Sequence, residues 1–197
     1  LEEGATVDES PTATSGQKRR RSGRRNAVEW GAIVVAAVLV SFLLRTFVIQ
    51  TYYIPSGSME PTLLIHDHII VSKLSLDFGS IHRGDILVFK APPSADVCGD
   101  DTPTDFVKRV IGLPGDHLTS KGNTIYVNGK ALDITWTHYE PLGRPIGNVT
   151  VAKNHYFMMG DNYPQSCDSR WWGSVPRSDI IGRAFFRIWP LSGIGFL

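Results

Sequence analysis

The chain has 197 residues, 42% of them hydrophobic, and a net charge of +1, which leaves room for one ordinary domain with a real core once a tail and an apolar segment are set aside. The near-neutral total hides an asymmetry. Lys18, Arg19, Arg20, Arg21, Arg24 and Arg25 are clustered and the rest is slightly acidic, so the folded part is a poor fit to nucleic acid.

Residues 1–28 are rich in Glu, Ser, Thr, Gly and Arg with almost nothing large and apolar, a composition that predicts a disordered basic tail. From Trp30 to Leu44 the run WGAIVVAAVLVSFLL carries no charge, and Phe47, Val48 and Ile49 extend it past Arg45. A bilayer span takes about 20 residues. Residues 29–49 are therefore expected to form one transmembrane helix, with Glu29 and Arg45 at the interfaces. A cleavable signal peptide shares the basic-then-apolar pattern, but the tail is long and no small-x-small cleavage site follows. The basic cluster places the N-terminus in the cytoplasm and residues 50–197 outside.

The exported part reads as mainly β. Asp67–Lys73, Asp85–Lys90, Thr124–Val127 and Tyr156–Met159 are short β-branched or aromatic runs, and Asn128-Gly129 is a two-residue hairpin signal. Gly and Pro interrupt the chain too often for long helices, and 91–104 is a loop by composition. The expected architecture is an antiparallel β-sheet catalytic domain with a small β cap lobe within 122–153, preceded by the one membrane helix.

Chemistry enters with Ser58, in Ile54-Pro55-Ser56-Gly57-Ser58-Met59-Glu60-Pro61-Thr62, and Lys108, in Phe106-Val107-Lys108-Arg109-Val110-Ile111. A serine hydroxyl is a weak nucleophile and needs a base beside it. Lysine can serve when burial disfavours its charged form, and Phe106, Val107, Val110 and Ile111 predict that Lys108 is buried. Arg109 points to the opposite face of the same strand by two-residue alternation.

Residues 54–63, IPSGSMEPTL, resemble the nucleophile box of bacterial type I signal peptidases. Residues 83–89, RGDILVF, resemble the family's next strand box, 108–116, KRVIGLPGD, its lysine box, and Gly160-Asp161-Asn162 with 166–170, SCDSR, its C-terminal box. The four boxes stand in family order after an apolar segment. The resemblance implies a membrane-bound serine endopeptidase that removes signal peptides from exported preproteins at the outer face of the cytoplasmic membrane, cutting after Ala-x-Ala, with no cofactor. It implies Ser58 as nucleophile, Lys108 as general base, the Ser58 N–H and the Ser56 hydroxyl as oxyanion hole, Ser166 as the group orienting the Lys108 amine, and Asp168 with Arg170 as a supporting ion pair. Ile54, Pro55, Met59, Leu63, Phe106 and Val107 are expected to line the substrate site, the peptide lying as an extra strand between 50–55 and 105–107.

The partners expected are preproteins and membrane lipid, with Trp171, Trp172 and Trp189 as apolar rims at the interface, and the enzyme is expected to be a monomer. Two positions depart from the family pattern: Tyr163-Pro164-Gln165 follow Gly-Asp-Asn, and His66 stands where Gly is common.

No metal site is expected, because His66 and His68 share a strand face without a third ligand. Ser15-Gly16-Gln17-Lys18 matches an S-x-x-K motif but lies in the tail, and the sequon Asn148-Val149-Thr150 matters only in a glycosylating pathway. Cys98 and Cys167 follow the apolar segment, so in an oxidising compartment they are expected to form a disulfide. A self-cleaving Ser/Lys repressor would need a DNA-binding region in place of the span. A silent tethered binding module would need none of Ser56, Ser58, Lys108 and Ser166.

Overall fold

The computed structural model describes residues 17–76, 79–99, 104–137 and 141–197. It divides into two compact units, 1–44 and Arg45–Leu197. In the first, helix α1 begins at Gln17 and runs to Phe47, inside the tail expected to be disordered. Lys and Arg are good helix formers, and extending a helix already nucleated costs little. The rest of that tail, including the Ser15-Gly16 start of the S-x-x-K match, lies outside the described residues. Ile33, Val34 and Val35, then Val38, Leu39 and Val40, are exposed, and at 3.6 residues per turn the two triplets together go round the helix. Among the described residues no helix is long and apolar enough to cross a membrane. The helix also stops short of the expected end at residue 49, because Ile49 already pairs as a strand with Ser72.

The second unit holds strands β1 (Ile49–Tyr53), β2 (His68–Ser72), β3 (Ile86–Lys90), β4 (Asp105–Gly112), β5 (His117–Lys121), β6 (Thr124–Val127), β7 (Lys130–Ala131), β8 (Val149–Thr150), β9 (His155–Met159), β10 (Val175–Pro176), β11 (Ile180–Trp189) and β12 (Gly195–Phe196), with one helical turn, α2 (Ser169–Trp172), before β10. The large sheet is ordered β1-β2-β11-β3-β4-β9-β10, with β12 on β11. Its pairings are antiparallel. The four strand runs and the mainly β class read from sequence are met, with ends differing by one residue.

The smaller sheet is ordered β7-β6-β5-β8. Asn128 and Gly129 turn β6 into β7 with φ of 52° and 78°, the paired positive values that a type I′ hairpin demands. This sheet starts at His117, before the lobe boundary expected at 122, because Leu118 pairs with Val127 and β5 belongs to the same hairpin as β6.

Buried apolar residues form three clusters. One joins Leu87, Phe89, Phe106, Val110 and Trp172; one joins Ile111, Leu118, Ile125, Phe157 and Met159 beneath the small sheet; one joins Ile54, Met59, Leu63, Ile69 and Val88. Strand β4 contributes to the first two. Its neighbour β3 is buried along Ile86–Phe89, so β4 starts at a surface and runs into the interior.

The loop expected at 91–104 contains a 3-10 turn, Pro93–Cys98, and its positions 100–103 lie outside the described residues. Cys98 is disulfide-bonded to Cys167, 69 residues on. Closing a loop of that length restricts the unfolded chain by an amount worth on the order of 4 kcal/mol. Urea unfolding should therefore show Cys98→Ser/Cys167→Ser less stable than the parent by up to about that amount; equal stability would contradict a bridge that restrains the fold.

Candidate active site

Ser58 sits in a single 3-10 turn, Gly57–Met59. Met59, 1% exposed, anchors the turn in the core, and the Leu63 N–H donates to the Met59 carbonyl at 2.9 Å. Upstream, the Ile54 N–H donates to Asp67 O and the His66 N–H to Ile54 O, both at 2.9 Å, which prolongs the β1–β2 ladder to the edge of the turn. His66 has φ of 75°, a left-handed value that favours glycine. That explains why Gly is common here in the family the sequence resembles. His66 is held there in part by Tyr53, whose hydroxyl bonds its Nδ1.

Lys108 Nζ lies 2.6 Å from Ser58 Oγ. The lysine is 2% exposed, and its pKa is lowered to about 8. Burial is the largest cause; the carboxylates of Asp168 and Asp161 oppose it, and the Arg170 charge adds to it. An amine with that pKa is substantially neutral at mildly alkaline pH and can take a proton from the hydroxyl it touches. Ser56 Oγ is 3.4 Å from Ser58 Oγ, on the exposed side.

Two buried ion pairs stand near the amine. Asp168 caps α2 by accepting from the Arg170 backbone N–H and takes Arg170 Nε at 2.8 Å and Nη2 at 2.7 Å. Arg170 also donates to the carbonyls of Leu142, Tyr163 and Ser166, so one guanidinium fastens three pieces of chain. On the other side Arg109 Nε and Nη2 donate to Asp161 at 2.8 and 2.7 Å. Thr62 Oγ1 donates to the same carboxylate at 2.5 Å. Arg109 does point away from Lys108, as strand alternation requires, and there finds Asp161, to which sequence reasoning gave no role. A buried arginine has to be matched by a carboxylate, and that requirement was the signal available.

Ser166 is 4% exposed. Its Oγ accepts from the Gly160 N–H at 3.2 Å, and it makes no hydrogen bond to Lys108 among the described residues. Gly160 brings these parts together: a Cβ there would collide with the Ser166 side chain and the Ser58 carbonyl. Asn162 donates from its backbone N–H to Ser58 O and from Nδ2 to Gly57 O, both at 3.1 Å, a contact sequence reasoning did not foresee.

A cleft of about 980 Å³ opens beside Ser58 and Lys108. One wall is 52–59, the other Thr104–Lys108, and Cys98, Gln165 and Cys167 close one side. Ile54, Pro55, Met59, Phe106 and Val107 line this cleft. Leu63 does not: it is 0% exposed and packs in the core with Ile54 and Met59. Strand β1 lies at one edge of the large sheet. Residues Asp105–Lys108 pair with β3 on one side only, because β9 joins β4 from Arg109 onward. Burial and the neighbouring Asp105 carboxylate push Tyr52 up to about 12, so its phenol stays neutral on the cleft wall.

Of the three tryptophans expected at an apolar rim, Trp171 and Trp189 are exposed. Trp172 is buried, its ring 4.9 Å from that of Phe106. No group of three or more metal-ligating side chains occurs among the described residues.

The family model described as "Signal peptidase, peptidase S26" matches residues 27–189. A probable signal peptidase I-2 of Synechocystis is 43% identical over 145 residues, 74% of this chain and 65% of that protein. The signal peptidase I of Bacillus caldolyticus is 38% identical over 164 residues, 73% of this chain and 82% of that protein. The crystal structure of a signal peptidase I from Enterococcus faecalis superposes with a TM-score of 0.42 at 28% identity, over 53% of this chain and 96% of that one. The chain thus spans less than two thirds of the Synechocystis relative.

Removing Asp161 would leave Arg109 charged and buried. Asp161→Ala should cost about 3–5 kcal/mol in chemical denaturation, and a loss under about 1 kcal/mol, the range of a surface pair, would contradict the buried-pair assignment.

Proposed function

Because the chain belongs to the signal peptidase, peptidase S26, family of serine peptidases, we propose that it removes signal peptides from exported preproteins by a Ser58/Lys108 dyad. The observation that carries this reading is the 2.6 Å approach of a buried lysine amine to a serine hydroxyl, inside a cleft with two unpaired strand edges.

The neutral Lys108 amine takes the Ser58 proton as Oγ bonds to the scissile carbonyl carbon. The resulting oxyanion lies between the Ser58 N–H and the Ser56 hydroxyl, donors aimed at charge that exists only after attack. When the tetrahedral species collapses, the C–N bond breaks and Lys108 returns the proton to the leaving amine. Water then attacks the acyl carbon as Lys108 takes its proton; the C–Oγ bond breaks, the acid product leaves, and Lys108 returns the proton to Ser58 Oγ. Asp168 and Arg170 support the loop that carries Ser166, Arg170 donating to the Ser166 carbonyl.

The substrate enters as an added strand between β1 and the first residues of β4, gaining main-chain hydrogen bonds that carry no sequence information. Selectivity for small residues, as in Ala-x-Ala, comes from Ile54, Met59, Phe106 and Val107, which leave shallow apolar recesses near the dyad. The anchor is the uncharged run from Trp30 to Leu44, preceded by basic residues that stay in the cytoplasm. The Cys98–Cys167 bridge suits an oxidising compartment, which agrees with a catalytic unit outside the cytoplasm. The exposed Trp171 and Trp189 suit the lipid interface.

Membrane-embedded preprotein ending its signal in Ala-x-Ala should be cut after the last Ala. Ser58→Ala and Lys108→Ala should each lose at least about a thousandfold, about 4 kcal/mol of transition-state stabilisation. The parent's rate should climb as pH rises toward about 8, to which burial lowers the Lys108 pKa, because only the unprotonated amine is a base. Normal cutting by both variants would make the two residues structural and assign the cleavage to a different nucleophile.

A further inference from the structure

We infer that Asn162 is a positioning residue for the oxyanion hole. The inference rests on the peptidase reading above and on geometry at one peptide unit. Asn162 Nδ2 donates to Gly57 O at 3.1 Å, and the Asn162 backbone N–H donates to Ser58 O at 3.1 Å. Asn162 thus touches both peptide planes that flank the nucleophile, sharing Gly57 O with the Glu60 backbone N–H, which donates to it at 3.1 Å from within the turn. The peptide group is planar and trans, so its carbonyl and its N–H point in opposite directions along a rigid unit. Fixing Gly57 O fixes the direction of the Ser58 N–H, the donor that receives the developing negative charge. The Ser58 carbonyl, tied from the other side, fixes the turn in which Oγ rides.

A loop-fastening role alone does not account for this side chain. The backbone bond from Asn162 to Ser58 already joins the two turns, as does the close approach at Gly160. Asn162 is 2% exposed, and its Oδ1 is buried with no hydrogen-bond partner. A buried acceptor left unmatched is unfavourable, and an apolar side chain would avoid it. What an apolar side chain cannot supply is the Nδ2 donor on Gly57 O. The same Nδ2 also donates to Gln165 Oε1 at 3.5 Å, so two acceptors face the amide nitrogen and favour the orientation in which it meets the nucleophile turn.

The experiment compares the full chain with Asn162→Leu, of similar size but uncharged and without the donors, and Asn162→Ser, a shorter side chain that keeps one. Cleavage of a preprotein-derived peptide is split into kcat and KM, and affinity is measured for a peptide aldehyde, which forms a tetrahedral adduct on Ser58. Misaiming one oxyanion donor should lower kcat by roughly ten- to a hundredfold, somewhat less than removing it outright. KM and the pH midpoint of kcat should stay put, aldehyde affinity should fall with kcat, and Asn162→Ser should lie between. The proposal is overturned by unchanged kcat, by a loss confined to KM, by a shifted pH midpoint, or by a lowered Tm in both variants without loss of aldehyde affinity. Absence of cleavage by the parent chain would overturn the peptidase reading and this proposal with it. Cleavage by the parent matched by both variants would overturn this proposal alone.

Discussion

Taking an amine out of water disfavours its ammonium form, and that single desolvation organises the site around Lys108. The lysine is almost wholly buried, and burial outweighs the two carboxylates that would otherwise keep it protonated. Those carboxylates are already committed. Asp168 is chelated by Arg170 and Asp161 by Arg109, so each acts at a distance on Lys108 instead of pairing with it. Had either been free to contact the amine, the ion pair would have restored the ammonium. The neighbouring hydroxyl of Ser58 is the remaining partner, 2.6 Å away.

The fold supplies that burial through β4. The strand begins beside the cleft at Asp105, carries Lys108 beneath it, and ends in the hydrophobic cluster under the small sheet. Ser58 apart, the groups that surround the dyad are brought by the segment after β9. Gly160 allows close approach, Asp161 and Asn162 reach across to Arg109 and to the nucleophile turn, and Asp168 caps α2. The disulfide ties the same segment to the loop before β4. Both ends of the reacting pair are thus referred to one rigid stretch of chain.

Much of this was legible in the sequence, for identifiable reasons. β-Branched and aromatic runs gave the strands, Asn128-Gly129 gave its hairpin because both residues tolerate positive φ, and the apolar neighbours of Lys108 announced its burial. The tail was misread from Gln17 onward because its polarity masks good helix propensity in Lys and Arg. Leu63 and Trp172 were assigned to the cleft and to a rim on nearness in sequence, yet a side chain's face depends on the turn before it, and both point into the core. Arg109 could be sent to the correct face by alternation, but its partner 52 residues later needs the path of the chain. Asn162 was hidden for the same reason, since a carboxamide shows no pattern until the carbonyls it meets are known.

The central claim is that burial beside Ser58 keeps Lys108 neutral within reach of ordinary pH. Titrating the Lys108 side chain by NMR, with carbon-13 at Cε and a Lys108→Met variant to assign the signal, measures this directly. The account predicts a midpoint of about 8. A midpoint at the ordinary lysine value of 10.5 would leave the amine charged whenever the protein works, and would remove the base on which the proposed chemistry depends.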